Sequence, residues 1–266
     1  MLSLTRILAN CLVNFKFRGK DRLLSLLCPR VNETIVILFG YLVRLDLTDY
    51  IQRKMFLNAY WDEIRALKEN VREGMTVFDI GSNVGVYTLF ASSVVGIRGK
   101  VYAFEPNPIV HQRLAKTINE NKITNVRLFN CGIGDCRGEL TLYPNTQPGN
   151  ASSTMVADGQ SHGFTVSIDT LDNVMSVQDV ATIDYLKIDV DGFEPNVFKG
   201  AAQALKNRQI NFIQSEFSDY WLRRNGSNPQ KLYQTIIEYG FRDLDGIAEF
   251  CDGVLTDRFF KLDPMI

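Results

Sequence analysis

A single stretch of the chain, Thr76 to Glu105, constrains the fold more than any other. A short apolar run is broken by Gly81 and Gly85, apolar residues then recur at helical spacing, and a second apolar run ends at Glu105. Glycines let a backbone approach a ligand closely, and an acid at the end of the second strand can accept hydrogen bonds from ribose hydroxyls. The stretch therefore predicts a βαβ unit that binds an adenosine group.

The turn of this βαβ unit discriminates between two kinds of nucleotide cofactor. A dinucleotide-binding turn follows the pattern Gly-x-Gly-x-x-Gly, which seats a pyrophosphate at the helix N-terminus. Here Gly81 and Gly85 are separated by Ser-Asn-Val, and Asp79 would repel a diphosphate but attract a cationic amino group. We therefore predict S-adenosylmethionine, which has no phosphate, and keep a nicotinamide cofactor as the alternative. A plain tight turn that binds no ligand is the third interpretation.

Composition argues against several other classes of protein. The chain has 266 residues, a net charge of −1 and no basic run longer than Arg223-Arg224, so we predict neither a nucleic-acid partner nor binding to an anionic membrane. The five cysteines are scattered and follow no secretion signal, which indicates reduced thiols and a cytoplasmic location. Because His111 and His162 are the only histidines, we predict no zinc site around Cys131 and Cys136.

The first 70 residues are predicted to form a cap of N-terminal helices and a β-hairpin. Residues 1–30 are too short and too polar to span a bilayer, so we predict no transmembrane segment. They fit an amphipathic helix that packs on the body or on a second subunit, as in a homodimer, or an interfacial membrane helix. Residues 34–47 read as the hairpin, and a helix through Trp61 is predicted to be capped by Gly74.

Residues 71–266 form the predicted cofactor-binding domain. Strand-like runs alternate with helical segments at short spacing, which predicts a seven-stranded, mainly parallel sheet with helices on both faces. Two further runs, 139–143 and 164–171, also alternate like strands. The polar loop between them, 144–163, carries His162 and is typical of a substrate lid or of a disordered segment.

Polar side chains gather at the carboxyl ends of the predicted parallel strands, where ligands bind in such sheets. The residues at these ends are Asp79, Glu105, Asn130, Asp189, Asp191, Glu194 and Glu216. The first three are assigned to the cofactor, so the four remaining acids are expected to face its reactive end. Lys187 precedes Asp189 by two residues, so both side chains project to one face of the strand. Lys187 is either the charge partner of Asp189 or a participant in the reaction.

Methyl transfer to an alcohol needs a base or a metal ion, because an uncharged hydroxyl is a weak nucleophile. Asp189 or Glu194 can act as the general base. Alternatively, Asp189, Asp191 and Glu216 can together bind magnesium, a hard cation that prefers oxygen ligands. Asp191, Glu216 and His162 are the candidates for binding the acceptor.

Several motifs occur in the order and spacing of a known family. They are Val77-Phe-Asp-Ile-Gly-Ser-Asn-Val-Gly85, Phe104-Glu-Pro-Asn107, Leu171-Asp172, Asp184-Tyr-Leu-Lys-Ile-Asp-Val-Asp-Gly-Phe-Glu194 and Val197-Phe-Lys-Gly-Ala201. On these motifs the chain, from about residue 34 to residue 245, resembles the FkbM-type methyltransferases. The resemblance implies a class I methyltransferase (Rossmann-like) fold, S-adenosylmethionine as the methyl donor, and O-methylation of a hydroxyl on a small molecule such as a sugar, glycan or secondary metabolite.

The resemblance also implies roles for individual residues. The residues whose positions match the family's cofactor-binding residues are Asp79, Gly81, Asn83, Gly85 and Glu105. The residues implied to border the methyl-transfer site are Asp189, Asp191 and Glu194. The family more often has Glu at the position of Asp191. Asp191 keeps the negative charge of that Glu, but its side chain is shorter by one methylene.

The sequence leaves two alternatives to a methyltransferase open. A nicotinamide-dependent oxidoreductase is one, because a Tyr-x-x-x-Lys spacing occurs at Tyr50 and Lys54, although it precedes the glycine turn instead of following it. A non-catalytic binding module on the same fold is the other, although acids at the strand ends argue against it.

Overall fold

A computed structural model of the chain describes residues 28, 31, 33–58, 60, 64–144, 153–154, 162–246, 250, 252–253 and 255–264. The predicted N-terminal helices, with the homodimer contact assigned to them, and most of the predicted lid loop lie outside these residues. The described strands are β1 (Thr34–Leu38), β2 (Tyr41–Leu45), β3 (Thr76–Ile80), β4 (Lys100–Phe104), β5 (Val126–Phe129), β6 (Gly132–Ile133), β7 (Gly138–Pro144), β8 (Ser153–Thr154), β9 (Phe164–Asp169), β10 (Tyr185–Ile188), β11 (Phe212–Ser218), β12 (Phe241–Asp243) and β13 (Leu255–Leu262). The described helices are α1 (Tyr50–Phe56), α2 (Arg65–Asn70), α3 (Val86–Val95), α4 (Pro108–Glu120), α5 (Leu171–Val177), α6 (Glu194–Gly200), α7 (Ala202–Lys206), α8 (Asp219–Arg224) and α9 (Pro229–Glu238).

A seven-stranded sheet forms the centre of the described chain, in the order β12-β13-β11-β10-β3-β4-β5. The pairs from β11 to β5 are all parallel. The strand β13 runs antiparallel to both of its neighbours, β11 and β12. The predicted seven-stranded, mainly parallel sheet is therefore confirmed.

Two hydrophobic clusters pack on opposite faces of this sheet. Successive residues of a strand point to opposite faces, and accordingly Val77 belongs to one cluster while Phe78 and Ile80 belong to the other. The cluster around Val77 contains buried residues of α3, α4 and the β1–β2 hairpin, including Leu89. Asp79 lies on this same face, so a carboxylate is buried beside an apolar cluster.

The predicted hairpin at residues 34–47 is confirmed, with β1 antiparallel to β2 and Val36 opposite Val43. The helix predicted through Trp61 is present at Leu67 as α2, but its predicted C-cap at Gly74 is wrong, and Trp61 itself lies outside the described residues. The helix α1 ends at Phe56, and Asn58 then takes up a left-handed backbone conformation (φ +54°), which a continuous helix cannot accommodate. The helix α2 ends four residues before Gly74. The division of the chain at residue 70 stays a prediction.

The strand-like runs at 139–143 and 164–171 belong to a second sheet. They correspond to β7 and β9, which pair antiparallel with Leu140 opposite Val166. The strands β6 and β8 complete this four-stranded sheet. The strand β9 is shorter than predicted because Thr170 caps α5, accepting a hydrogen bond from the Asn173 N–H.

Candidate active site

A cavity of about 640 Å³ opens at the carboxyl ends of β3, β4, β10 and β11. Parallel sheets bind ligands at this edge, and small-molecule sites usually have volumes of about 300–1,000 Å³. The predicted site residues that line the cavity are Gly81, Asn83, Glu105, Lys187, Asp189, Asp191 and Glu216. Those that do not line it are Asp79, Gly85, Asn130, His162 and Glu194.

The glycine turn between β3 and α3 is held in one conformation by close backbone packing. Gly81 has φ +82°, and a Cβ atom placed there would lie 1.9 Å from the carbonyl oxygen of Asp189. Gly85 has φ +92°, and its Cβ would lie 2.4 Å from a Leu114 methyl group. A residue with a side chain would meet both an unfavourable left-handed backbone and a steric clash, so glycine is favoured at both positions.

Glu105, at the end of the neighbouring strand β4, is hydrogen-bonded directly to the glycine turn. One carboxylate oxygen accepts a hydrogen bond from the Asn83 N–H and the other from the Asn107 N–H, each at 2.8 Å. Burial raises the pKa of Glu105 to about 7, although both hydrogen bonds act to lower it. A carboxylate oxygen can accept more than one hydrogen bond, so this side chain can also receive ligand hydroxyls.

Asp79 and Lys187 form a buried ion pair, because they are direct neighbours on β3 and β10. The Lys187 Nζ lies 3.5 Å from an Asp79 oxygen and 3.3 Å from an Asp189 oxygen. It also donates to the Gly81 carbonyl at 3.1 Å and lies 4.6 Å from the centre of the Tyr87 ring. Burial acts to lower the pKa of Lys187, but Asp189 and Asp79 outweigh this and raise it above its usual value.

The prediction that Asp79 faces a ligand amino group therefore needs correction. Asp79 has no solvent-exposed surface, and its other oxygen accepts a hydrogen bond from the Thr88 hydroxyl at 2.5 Å. Its charge is met by Lys187, which does line the cavity. Lys187 is thus the partner of both Asp79 and Asp189, and it links the glycine turn to the end of β10.

Three further carboxyl groups line the cavity: Asp189, Asp191 and Glu216. Burial, with the nearby charge of Asp189 as the second cause, raises the pKa of Asp191 to about 7 and that of Glu216 well above its ordinary range. Both groups can therefore hold a proton at neutral pH. Among the described residues, no three His, Cys, Asp or Glu side chains are grouped as a metal ion requires, so these three carboxyls do not fit the magnesium site considered above.

Glu194 is buried and does not line the cavity, so the structure does not support its predicted catalytic role. It is 1% exposed, and one carboxylate oxygen accepts hydrogen bonds from the N–H groups of Val190 (3.0 Å) and Gly192 (3.3 Å). These two residues belong to the turn that carries Asp189 and Asp191. Glu194 therefore fixes that turn, and burial raises its own pKa to about 8.

Replacing Glu194 by glutamine is expected to flatten the dependence of stability on pH. The pKa of Glu194 is higher in the folded protein than the usual 4.5, so the folded state binds more protons and the free energy of unfolding falls as the pH rises from about 4.5 to about 8. The variant loses this contribution, up to about 1.4 kcal/mol per pH unit. Urea unfolding of both ligand-free proteins at pH 5, 6, 7 and 8 measures the free energy of unfolding at each pH. If this free energy changed equally with pH in wild type and variant, the raised pKa would not belong to Glu194.

Two residues that were predicted to contact the cofactor or the acceptor, Asn130 and His162, do not line the cavity. Asn130 donates hydrogen bonds to the main-chain carbonyls of Glu105 (2.9 Å) and Pro106 (3.1 Å), so it holds the end of β4 without lining the cavity. His162 is exposed and does not line the cavity. The loop that precedes it lies mostly outside the described residues.

Several cavity residues escaped the sequence analysis. Tyr87 lines the cavity beside Lys187, and the Gln214 side chain donates hydrogen bonds to the Tyr87 hydroxyl (3.3 Å) and to Asp257 (2.7 Å). Tyr220 lines the cavity from α8, a short helix that was not predicted. The only signal was the sequence Asp219-Tyr-Trp directly after β11, which also fits an ordinary surface turn.

Comparison with known proteins decides which class of enzyme contains this site. The sequence profile of the methyltransferase FkbM domain matches residues 79–242, well over half of the chain. The chain belongs to this family. Membership in the FkbM family confirms the resemblance seen in the motifs, and the central sheet is the class I methyltransferase fold that it implied.

Relatives of this FkbM-family protein differ in their named substrates. The hexuronic acid methyltransferase AglP of Haloferax volcanii is 29% identical over 176 residues, which cover 65% of this chain and 70% of the relative. The 2-O-methyltransferase NoeI of Sinorhizobium fredii is 28% identical over 202 residues, 70% of this chain and 78% of the relative. The 31-O-demethyl-FK506 methyltransferase FkbM of Streptomyces tacrolimicus is 27% identical over 164 residues, 50% of this chain and 62% of the relative.

Membership in the FkbM family settles the choice of enzyme class. The protein is an S-adenosylmethionine-dependent methyltransferase, and the alternatives of a nicotinamide-dependent oxidoreductase and of a non-catalytic module are wrong. None of the helices in the described part of the chain is long and apolar enough to cross a membrane.

Proposed function

We propose that this FkbM-family methyltransferase transfers a methyl group to a hydroxyl of a sugar, glycan or secondary metabolite. The position of Asp189 carries the proposal: its carboxylate lines the cavity, is 41% exposed and lies 3.3 Å from the Lys187 Nζ. The names of AglP and NoeI support a sugar acceptor and O-methylation, and that of the FK506 enzyme supports a secondary metabolite.

The glycine turn and the end of β4 fit the adenosine part of S-adenosylmethionine. Gly81 has no room for a side chain, and both Gly81 and Glu105 line the cavity. We assign the ribose hydroxyls to Glu105 and the backbone contacts to Gly81 and Asn83. Gly85 and Asn130 support these residues through their packing against Leu114 and their bonds to the β4 end, respectively.

The three acids Asp189, Asp191 and Glu216, which also line the cavity, are assigned to the acceptor. When bound, S-adenosylmethionine supplies a methyl group activated by its bond to a positively charged sulfur. Asp189 accepts the hydroxyl proton while the acceptor oxygen bonds to the methyl carbon and the carbon–sulfur bond breaks. Lys187 fixes the direction of the Asp189 carboxylate. Asp191 and Glu216, in their protonated forms, can donate hydrogen bonds to other acceptor oxygens.

Replacing Asp189 by asparagine tests this role. The variant keeps an oxygen for Lys187 but cannot accept a proton, so we expect kcat to fall about 10²–10⁴-fold while the Kd of S-adenosylmethionine changes less than about threefold. Transfer of a tritiated methyl group to a panel of glycosides and hydroxylated metabolites gives kcat, and calorimetry gives Kd. The control is Asp135→Asn, an exposed carboxylate outside the cavity. A wild-type kcat in Asp189→Asn would remove Asp189 as the base.

We also propose a cytoplasmic location, supported by the free thiols of Cys131 and Cys136. Fractionation of cells that express the tagged protein tests it. The absence of a nucleic-acid partner and the homodimer stay predictions, which retention on heparin and light scattering can check.

A further inference from the structure

Three large apolar side chains at the cavity are unusually exposed. Tyr50 is 42% exposed, Tyr220 is 58% exposed and Leu255 is 68% exposed, and all three line the same cavity. They come from α1, α8 and the first residue of β13, so they approach from three separate parts of the chain. We call Tyr50, Tyr220 and Leu255 the apolar rim. Exposed apolar side chains that converge on one concave site indicate a surface for ligand binding.

The helix α8, which carries Tyr220, packs against the turn that carries Asp191. Asn225, which caps the C-terminus of α8, donates to the Asp191 carbonyl at 3.2 Å, and a Cβ atom on Gly192 would lie 2.4 Å from the Trp221 carbonyl oxygen. Asp219 of α8 accepts a hydrogen bond from the Gly253 N–H at 3.0 Å, two residues before Leu255. The helix that carries Tyr220 is thus held against both the turn at Asp191 and the start of β13.

Cations cover part of the two rim tyrosines. The Arg224 guanidinium lies 5.3 Å from the centre of the Tyr220 ring, and the Lys54 Nζ lies 5.7 Å from the centre of the Tyr50 ring. Neither cation lines the cavity, whereas both rings do. The tyrosine surface that faces the cavity is therefore aromatic and uncharged.

We propose that the apolar rim is the acceptor subsite, and that it takes a pyranose ring whose C–H face packs on Tyr220 and whose hydroxyl points inward to Asp189. This inference rests on the proposed function and adds the chemical class of the acceptor. A pyranose ring has one face rich in C–H groups and an edge of hydroxyls. Its two kinds of surface match the apolar rim and the carboxyl groups that line the same cavity. An acyclic polyol also carries hydroxyls but has no such face.

The test compares methyl β-D-glucopyranoside with D-glucitol, using wild type, Tyr220→Ala and Tyr220→Phe in the presence of S-adenosylhomocysteine. We expect saturation-transfer NMR to detect the pyranoside preferentially. We also expect Tyr220→Ala to weaken its binding, and to raise the acceptor KM in methyl transfer, about five- to twentyfold. Tyr220→Phe should remain within about twofold of wild type, because the ring and not the hydroxyl makes the contact. The affinity for S-adenosylhomocysteine, measured by calorimetry, should not change.

The control is Ile97→Ala, which removes an apolar side chain that is 91% exposed and does not line the cavity. Equal binding of pyranoside and glucitol, no detectable binding of the pyranoside, or unchanged binding in Tyr220→Ala would each overturn the subsite. Binding of the pyranoside that depends on Tyr220, without methyl transfer to any hydroxyl acceptor, would keep the subsite and refute the proposed O-methylation.

Discussion

Replacing Gly81 by alanine is expected to weaken S-adenosylmethionine binding at least about 30-fold, because about 2 kcal/mol or more of strain and overpacking opposes the backbone position that binds the cofactor. The new methyl group would lie 1.9 Å from the Asp189 carbonyl oxygen, which is main chain and cannot rotate away. Either the glycine turn or the end of β10 must move, and both line the cavity. The left-handed backbone at φ +82° adds about 1–2 kcal/mol of strain, and overpacking adds about 1–3 kcal/mol.

Gly74→Ala is the matched control for this prediction. Gly74 has nearly the same backbone conformation, φ +85°, but a Cβ atom there meets nothing within 4 Å. In this control only the backbone strain should lower the free energy of unfolding, by about 1–2 kcal/mol, and S-adenosylmethionine should bind with normal affinity. Urea unfolding and calorimetry measure the two quantities. A wild-type affinity in Gly81→Ala would show that the turn does not contact the cofactor.

Replacing Lys187 by methionine is expected to destabilise the protein by about 3–5 kcal/mol, because removing one member of a buried ion pair leaves the other charge uncompensated. Lys187 is 3% exposed and Asp79 is fully buried, so water cannot take over the lost contact. Methionine preserves most of the side-chain length, which limits the loss of packing. Methyl transfer should also fall, because Asp189 loses the cation that directs its carboxylate.

A double-mutant cycle with Asp79→Asn separates the ion pair from other effects of the substitution. Asp79→Asn combined with Lys187→Met should be more stable than the sum of the two single losses predicts, by about 1 kcal/mol or more. The exposed pair Arg98–Glu73, with N–O distance 3.0 Å, serves as the control, and Arg98→Met should cost less than about 1 kcal/mol. Additive effects at Asp79 and Lys187 would contradict the pairing.

Much of the fold is encoded in local sequence patterns. The apolar runs of β3 and β4, the glycines between them and the acid at Glu105 each report a local backbone preference, so strand, turn and helix could be predicted in order. The predicted C-cap at Gly74 was wrong because α2 ends at Asn70, while Gly74, although left-handed (φ +85°), donates its N–H to the distant Val95 carbonyl instead. The second sheet could not be anticipated, because nothing local in β7 and β9 says which strand each will pair with.

The candidate site shows the same division between sequence and structure. The sequence alone determined that Asp79, Lys187, Asp189 and Glu194 belong near one edge of the sheet, because they sit at or near the ends of parallel strands. Only the tertiary structure decided their roles: the register of β3 against β10 sets Lys187 beside Asp79, and the turn after β10 directs Glu194 at backbone N–H groups instead of the cavity. Sequence patterns report the backbone of one segment, whereas ion pairing and access to a cavity depend on distances between segments that only packing defines.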